Sequence, residues 1–510
     1  MKPEDRSKMK SQLPHVTPAE GKPRPAVRSL TAGARAAALP LLAVAIAGLL
    51  PGAVLAASQA DADAAAAQRQ RRIEELERTL QSVQQQLQEL KQQNEELATQ
   101  QRQQAAEQQR QAAELQQQRA QREQLAAAAG QSSGGGLSDK LNIWGYGEAY
   151  YMHPVHDTSQ NQFDLARAVF GIGYRFDDRT VFNSEYEVEH AVASASDRGE
   201  FEVEQFYVDH ELADWVSVKG GLFLLPFGLL NEHHEPTNFY GVQRNFVETL
   251  IIPSTWREGG VGFHGTTKYG LTWDAGLTTG LDLGGWDVNP EDPPYRTALD
   301  LENSGVAPMQ ATHQEGQLAN AQHLSQYLSL NYNAVPGLLA GAAVFTGKAA
   351  VPTFPTGLPD QRVTLWEGHV RWTPGPAELT ALYARGTISN TATFNLDNAG
   401  ASNPVPSTFL GYYLQGAYTV WEHGGYRFAP FVRWEHYDMG YSYEGIPQGF
   451  TTVPTGLAAD GKPWPQPRDR VWTFGANFYL NPHVVLKADY QIFRVNTDFQ
   501  RFDLGLGLNF

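Results

Sequence analysis

The sequence predicts an all-β transmembrane barrel of about 16 antiparallel strands, preceded by a signal peptide and an N-terminal α-helical coiled coil. Residues 140–510 contain 16 segments in which apolar and polar residues alternate, and short turns and long loops alternate between them. Aromatic residues make up 11% of a chain whose mean hydropathy is only −0.41. Strands that face lipid on one side and water on the other produce both features.

The composition of the 510-residue chain excludes several classes of protein. The chain contains no cysteine, which excludes a disulfide scaffold and thiolate metal sites. The low mean hydropathy leaves no room for a bundle of apolar membrane helices. The formal net charge of −16 argues against a nucleic-acid partner, because phosphates require an excess of lysine and arginine.

Residues 1–57 are predicted to be a signal peptide. A basic segment precedes an apolar run at 36–57, and the run ends in Val-Leu-Ala-Ala, a small-residue cleavage pattern. An uncleaved helical anchor is the alternative, but Pro40, Pro51 and Gly52 interrupt the run. The length of the basic segment leaves open whether translation starts at Met9.

Residues 58–129 are predicted to form a periplasmic coiled coil, followed by a Gly/Ser linker at 130–139. Apolar residues recur at alternating three- and four-residue intervals in a stretch rich in Gln, Ala, Glu, Arg and Leu. A polar core residue fixes register and oligomeric state and is compatible with two or three helices. A solvated single helix is the alternative, although such helices rarely persist alone in water. The predicted core residues are Ile73, Leu76, Leu80, Val83, Leu87, Leu90, Asn94 and Leu97.

Residues 140–510 are predicted to form the barrel. The final segment alternates strictly: Phe502, Leu504, Leu506, Leu508 and Phe510 share one face, and the terminal Phe510 is the predicted barrel-assembly signal. The sheet must close, because an open edge cannot exist in hydrocarbon, and sixteen strands enclose an aqueous channel rather than a packed core. The predicted strands lie near 141–151, 163–176, 179–191, 199–212, 215–225, 259–268, 270–280, 325–335, 338–347, 361–373, 376–387, 408–420, 426–437, 472–480, 484–492 and 501–510.

Three stretches of the barrel sequence resemble the phosphate-selective porin O and P family. They are Gly-Leu-Phe-Leu-Leu-Pro-Phe-Gly-Leu-Leu at 221–230, Asn-Glu-His-His-Glu-Pro at 231–236, and Asn-Phe-Tyr-Leu-Asn-Pro-His-Val-Val-Leu-Lys-Ala-Asp-Tyr-Gln at 477–491. The resemblance covers roughly residues 140–510. It implies sixteen strands, a trimer and a third loop folded into the pore. Members of that family are not all phosphate channels, so the resemblance does not assign the solute.

The third long connection, residues 226–258, is the predicted constriction. For each of its polar residues, the alternative role is to fasten the loop to the wall by hydrogen bonds. Adjacent side chains of an extended chain point apart, and the HExxH spacing is missing, so the sequence predicts no metal site and no cofactor. The candidate residues are Asn231, Glu232, His233, His234, Glu235, Tyr240 and Arg244, with Glu248 and Arg257 in the same loop.

Strand parity assigns both basic and acidic side chains to the lumen, and it places Ala166 on the lipid face. A dedicated phosphate pore needs an uninterrupted basic track, whereas residues 138–510 contain 22 Lys and Arg against 41 Asp and Glu. The sequence therefore predicts a general or mildly selective outer-membrane porin for small hydrophilic solutes or ions, with an anion- or phosphate-selective porin as the alternative. The predicted pore-lining residues are Arg167, Arg175, Glu185, Glu187, Arg371, Arg433, Glu435 and Lys487.

Two other classes of function fit less well. An enzyme would need a nucleophile, a base and an orienting acid, and the order of residues shows no dependable constellation of this kind, so no enzymatic activity is predicted. A coiled-coil envelope tether anchored by a barrel would not need sixteen strands. The predicted partners are outer-membrane lipid, further copies of the chain in a homotrimer, small hydrophilic or anionic solutes and peptidoglycan, without nucleic acid.

Overall fold

The computed structural model describes residues 140–194, 199–289, 306–349, 360–453, 462 and 464–510, with isolated positions between 70 and 92. The isolated positions are helical and exposed. The predicted signal peptide, the linker and all the predicted coiled-coil core residues lie outside the described residues, so these assignments stay predictions. Among the described residues, no helix is long and apolar enough to cross a membrane.

The strands form one sheet in which neighbours pair antiparallel. The three-residue strand β13 follows β12 and pairs with the same neighbour, β14. The two together occupy one strand position, so the barrel has sixteen strand positions, as predicted. The strands are β1 (Leu141–Pro154), β2 (Gln162–Arg175), β3 (Thr180–Glu189), β4 (Phe201–Ala213), β5 (Val216–Leu224), β6 (Arg257–Thr266), β7 (Leu271–Thr278), β8 (Ser325–Tyr332), β9 (Leu338–Lys348), β10 (Arg362–Trp372), β11 (Ala377–Ile388), β12 (Thr408–Tyr418), β13 (Trp421–His423), β14 (Tyr426–Ser442), β15 (Arg468–Asn481), β16 (Val484–Phe493) and β17 (Arg501–Asn509).

The sheet closes into a barrel through β1 and β17, which pair from Tyr146↔Asn509 to Pro154↔Arg501. The terminal Phe510 extends this pairing, because its amide donates to the Gly145 carbonyl at 2.9 Å and its carbonyl accepts from the Gly145 amide at 3.1 Å. Closure leaves no sheet edge to be solvated, which is the condition for a sheet to sit in lipid.

Side chains of β17 show the two faces of the wall. Leu504 is 43% exposed on the outer face, whereas the adjacent Asp503 is fully buried on the inner face. Phe502, Leu506 and Leu508 share the outer face with Leu504. The alternation predicted from the sequence is therefore the alternation between the barrel exterior and its interior.

Register shifts interrupt five of the strand pairings in the described residues, and two of them place a residue of the candidate site or its surroundings. One lies between β1 and β2, where the register jumps from Arg167 to Leu165. Ala166 is the extra residue, and it turns inward to pack with Met152 and Val242. The prediction that Ala166 faces lipid is therefore wrong, because a bulge shifts the parity of its strand by one residue. A second bulge interrupts the pairing of β3 with β4.

The connections alternate in length as predicted, with two differences in detail. Strand β14 continues to Ser442 instead of ending near residue 437, because the Ser407 amide donates to the Ser442 carbonyl at 2.8 Å and prolongs the pairing. The connection at 389–407 contains a short helix, α1 (Thr391–Asp397), which the sequence did not predict.

The barrel interior contains a packed apolar core, which corrects the expectation that the inner face of every strand meets water. Inward side chains of β9 to β12, such as Phe345, Leu365 and Phe409, are fully buried. They pack against apolar residues of the connections at 225–256 and 279–324, including Ile251 and Met309. Burial of these side chains removes much apolar surface from water, at ~25 cal/mol per Å².

The assignment of Leu504 to the outer face of β17 leads to a prediction. Leu504→Arg would place a charge on the outer face near the middle of the strand. We expect the free energy of unfolding in lipid to fall by about 2–4 kcal/mol, because an arginine at the bilayer midplane is poorly solvated. Denaturant titration in vesicles measures this change. Leu480→Arg, beside the turn at the end of β15, is the matched control and should cost at most about 1 kcal/mol; equal costs would contradict the assigned depth.

Candidate channel constriction

The connection 225–256 is fastened where it leaves β5 and where it rejoins β6. The Leu225 amide donates to the Trp256 carbonyl at 2.9 Å. The buried Asn231 ties the same two residues, because its Nδ2 donates to both of their carbonyls at 2.7 and 2.9 Å. Its Oδ1 accepts from the Trp256 amide at 2.6 Å. These bonds hold the two ends of the loop together where they join β5 and β6.

Glu248 joins the two limbs of this loop. Its Oε1 accepts from the amides of Leu229 and Leu230 at 2.5 and 2.9 Å. Its Oε2 accepts from Asn245 Nδ2 and from the Tyr413 hydroxyl of β12, both at 2.8 Å. Glu248 is only 3% exposed, and these donors compensate for the burial of the carboxylate.

The loop crosses the interior and is bound by the wall that includes β14 and β16. The Phe246 amide donates to Glu435 Oε2 at 2.7 Å, and the Val242 amide donates to Asp489 Oδ2 at 2.6 Å. Loop amides have no strand partner, so carboxylates of the wall take the place of sheet carbonyls.

The limb at 246–256 also packs its aromatic side chains on the wall. The ring centroids of Trp256 and Phe345 lie 4.8 Å apart, and Phe246 lies 5.5 Å from both Tyr437 and Phe493. The pairs are tilted or edge-on, which is the favourable geometry for aromatic rings. The loop therefore belongs to the core of the barrel.

Arg433 and Lys487, two of the predicted pore-lining residues, lie on the inner face beneath the loop. The Arg433 Nε donates to Glu435 Oε1 at 3.0 Å, and its Nη1 donates to the Tyr240 carbonyl at 3.1 Å. The Lys487 ammonium lies 3.4 Å from the ring centroid of Phe239. Arg433 joins the loop to the wall and is paired with Glu435, whereas the Lys487 ammonium contacts a loop ring and has no hydrogen-bond partner in the described part of the chain.

The remaining predicted basic residues differ in position. Arg167 is buried: its Nε donates to Glu148 at 2.7 Å, and its Nη2 donates to the His234 carbonyl at 2.6 Å. Arg175 is exposed at the end of β2, and Arg371 is partly buried one residue before the end of β10. Both lie next to short turns, away from the loop.

The predicted acidic residues of β3 lie on the inner face. Glu185 and Glu187 are buried, and Glu185 accepts from Gln205 Nε2 at 2.5 Å. Glu367, another inward acid of β10, pairs with His369 at 2.9 Å. Among the described residues, the inner face thus combines acids that form an ion pair with acids that do not.

The predicted residues of the first half of the loop separate by exposure. Glu232 and His233 are exposed, whereas His234 is 3% exposed, so the two imidazoles point apart. Glu235 is partly buried and accepts from Asn238 Nδ2 at 2.6 Å. His234 alone of the two histidines is directed at the wall.

Tyr240 and Arg244 fasten the second half of the loop. The Tyr240 ring lies 5.7 Å from the Phe431 ring, and Arg244 donates to the hydroxyls of Ser254 and Thr255. Tyr240 thus joins the loop to β14, whereas Arg244 joins two parts of the loop to each other.

A polar cavity of about 160 Å³ remains between the loop and the first strands of the barrel. Its walls offer carboxylates, hydroxyls, two side-chain amides and an imidazole. The lining residues are Trp144, Tyr146, Asn183, Ser184, Glu185, Gln205, Tyr207, Leu224, Glu232, His234 and Glu235.

Sequence analysis missed Tyr146 and Glu204, which lie beside this cavity. The Tyr146 hydroxyl donates within a network with Glu204 and His234. Glu204 is the extra residue of the β3–β4 bulge, where Glu185 pairs with Gln205 and the next pair skips to Val203. The bulge turns Glu204 inward, and an alternation pattern alone carries no signal for this.

Comparison with known proteins identifies the family. The sequence matches the family model of the phosphate-selective porin O and P proteins over residues 140–498. An uncharacterized protein of Aquifex aeolicus (strain VF5) is 28% identical over 365 residues, which are 69% of this chain and 75% of that protein.

Solved porin structures are also similar to the barrel. Salmonella typhi OmpF in complex with daunomycin gives a TM-score of 0.45 at 13% identity, covering 72% of this chain and 97% of that chain. The anion-selective porin from Comamonas acidovorans gives 0.41 at 12% identity, covering 72% and 98%. Because the family match spans more than half of the chain, the protein belongs to the phosphate-selective porin O and P family of outer-membrane porins.

Proposed function

We propose that this porin is a channel for passive diffusion of small hydrophilic solutes or ions, with little preference for the sign of their charge. The observation that carries the proposal is the pairing of opposite charges on the inner wall. Lys219 pairs with Asp274 at 2.6 Å and Arg167 with Glu148 at 2.7 Å. A cation that is already paired with a carboxylate attracts a passing anion weakly.

The proposed solute path follows the half of the barrel from β1 to β8. Apolar packing with the loop covers much of the wall from β9 to β16, whereas the first half carries the polar cavity. Glu185, which lines the polar cavity, is the pore-lining residue that we assign to this path, with Glu187 and Arg167 buried in the wall beside it. Arg433, Glu435 and Lys487 set the position of the constriction, and Arg175 and Arg371 line the rim with the short turns.

Phosphate selectivity is the alternative, and the family description alone favours it. A phosphate dianion would need unpaired guanidinium or ammonium groups in succession along the path. The homotrimer, the periplasmic coiled coil and the approach to peptidoglycan remain proposals from the sequence and the family resemblance.

Planar-bilayer recording tests the selectivity of the full-length porin. In a tenfold KCl gradient, we expect a reversal potential far below the ~59 mV of an ideally selective pore. Addition of phosphate should leave the chloride current unchanged, because no phosphate site competes. A strong anion preference, or saturable block by phosphate, would replace the proposal with the phosphate-selective alternative.

Glu248→Ala tests the loop as a constriction. Loss of the carboxylate leaves the Leu229 and Leu230 amides without an acceptor and should lower local stability by about 3 kcal/mol. Hydrogen exchange at these amides should accelerate ~100-fold, since 1.4 kcal/mol is a factor of ten, and single-channel conductance should rise. Glu422→Ala, at an exposed position of β13, is the control. Unchanged conductance despite faster exchange would show that the loop does not limit the current.

Arg433→Glu separates a fastening role from a solute-contacting role. The substitution removes the bond to the Tyr240 carbonyl and places a second carboxylate beside Glu435. We expect a shift of the reversal potential towards cation preference together with a changed, noisier conductance. Arg371→Glu, the same change at the rim, should shift the potential and preserve the conductance. No effect of Arg433→Glu on either quantity would place Arg433 off the pathway.

A further inference from the structure

A group of potential metal ligands lies where the constriction loop meets β3 and β4. Glu185, Glu204 and His234 each offer one ligand atom, and these atoms lie within 4.8 Å of one another. All three residues are buried, with exposed fractions of 4%, 0% and 3%. They come from three separate segments, so their approach results from the fold and not from a local sequence motif.

The hydrogen bonds of His234 determine which ring nitrogen is free to bind a metal. Its Nδ1 lies 2.8 Å from the Asn231 carbonyl, which can only accept, so Nδ1 carries the hydrogen. The Nε2 therefore carries a lone pair, which faces the Tyr146 hydroxyl at 2.5 Å and lies 3.9 Å from Glu204 Oε1. A backbone carbonyl that accepts from the other ring nitrogen is the usual support of a metal-binding histidine.

The donors around this histidine do not satisfy the acceptors. The Tyr146 hydroxyl has one hydrogen but two acceptor neighbours, His234 Nε2 at 2.5 Å and Glu204 Oε2 at 3.1 Å. Within the described part of the chain, the buried Glu204 Oε1 and Glu187 Oε1 have no hydrogen-bond partner. Buried acceptors without partners are costly, and either a bound cation or a proton shared between Glu187 and Glu204 would satisfy them.

In the described part of the chain, the cations of this wall form no close ion pair with the acidic trio of Glu185, Glu187 and Glu204. Arg167 pairs with Glu148, and Arg257 pairs with two other carboxylates, those of Glu202 and Glu315. Over the described ranges, no lysine or arginine nitrogen comes within 4.0 Å of a carboxylate oxygen of the trio. Arg167 and Arg257 therefore act on Glu187 and Glu204 at longer range and not as close ion pairs.

We propose that this group binds a divalent cation of the zinc class, with His234 Nε2, Glu204 and Glu185 as ligands and Glu187 beside them. An imidazole with carboxylates is a donor set that suits Zn²⁺ better than Ca²⁺ or Mg²⁺, which prefer oxygen ligands alone. The adjoining polar cavity gives access from water and room for a water ligand. The cation joins the constriction loop to the wall and satisfies the free acceptors.

Metal counting on the full-length porin tests the site. Protein stripped with a chelator is dialysed against micromolar Zn²⁺, and bound zinc is measured by mass spectrometry. We expect one Zn²⁺ per chain, with affinity lowered at least ~10-fold by His234→Gln and by Glu204→Gln. Tyr146→Phe should retain the metal, because it removes only a competitor for Nε2. This readout needs no channel activity, so it is independent of the proposed function.

His369→Gln is the matched control. His369 is also buried beside a glutamate, but both of its ring nitrogens are engaged, Nδ1 with Glu367 at 2.9 Å and Nε2 with Asn331 Oδ1 at 2.8 Å. We expect this variant to bind zinc like the wild type, and heat-modifiable gel mobility verifies that each variant is folded. Absence of zinc from the wild type, or equal loss in His369→Gln and His234→Gln, would overturn the proposal.

Discussion

The structure depends on one constraint: each backbone donor and acceptor inside a bilayer must find a partner within the protein. Pairing of β1 with β17 meets this constraint for the sheet, and the bonds between Phe510 and Gly145 extend it to the last residue. The alternation of outward apolar and inward polar side chains follows from the closed sheet, because each strand has one face in lipid and the other in the interior.

The constriction loop has to meet a similar requirement without strand pairing. Its amides at Leu229, Leu230, Val242 and Phe246 donate to side-chain carboxylates. Asn231 holds the two ends of the loop together. A part of the acidity of the barrel sequence therefore has a structural cause. Glutamate and aspartate replace the carbonyls of absent neighbouring strands, so the net charge of the chain says little about the charge that a solute meets.

Strand positions could be predicted closely from the sequence because period two is a local property of each strand. The bulges could not be predicted from the sequence. An inserted residue such as Ala166 or Glu204 turns to the inner face of the sheet, and the residue pattern around it does not reveal this. The role of Glu248 depends on a partner in β12, more than 160 residues away. The sequence does contain a signal for the apolar interior. Strand β9 is apolar at nearly every position from 338 to 345, which indicates burial on both faces of the strand.

The interior is consequently asymmetric: apolar contacts hold the loop on one side, and charged groups remain on the other. On the charged side, Arg167, Lys219 and Arg257 are paired with carboxylates, whereas the acidic trio has no close cationic partner among the described residues. Without a bound cation, this surplus would favour permeating cations. With a divalent cation bound, two of its charges are neutralised where the loop touches the wall. If the proposed site binds a divalent cation, we expect its occupancy to be coupled to the ion selectivity of the pore through the same carboxylates, with weak selectivity when the site is filled.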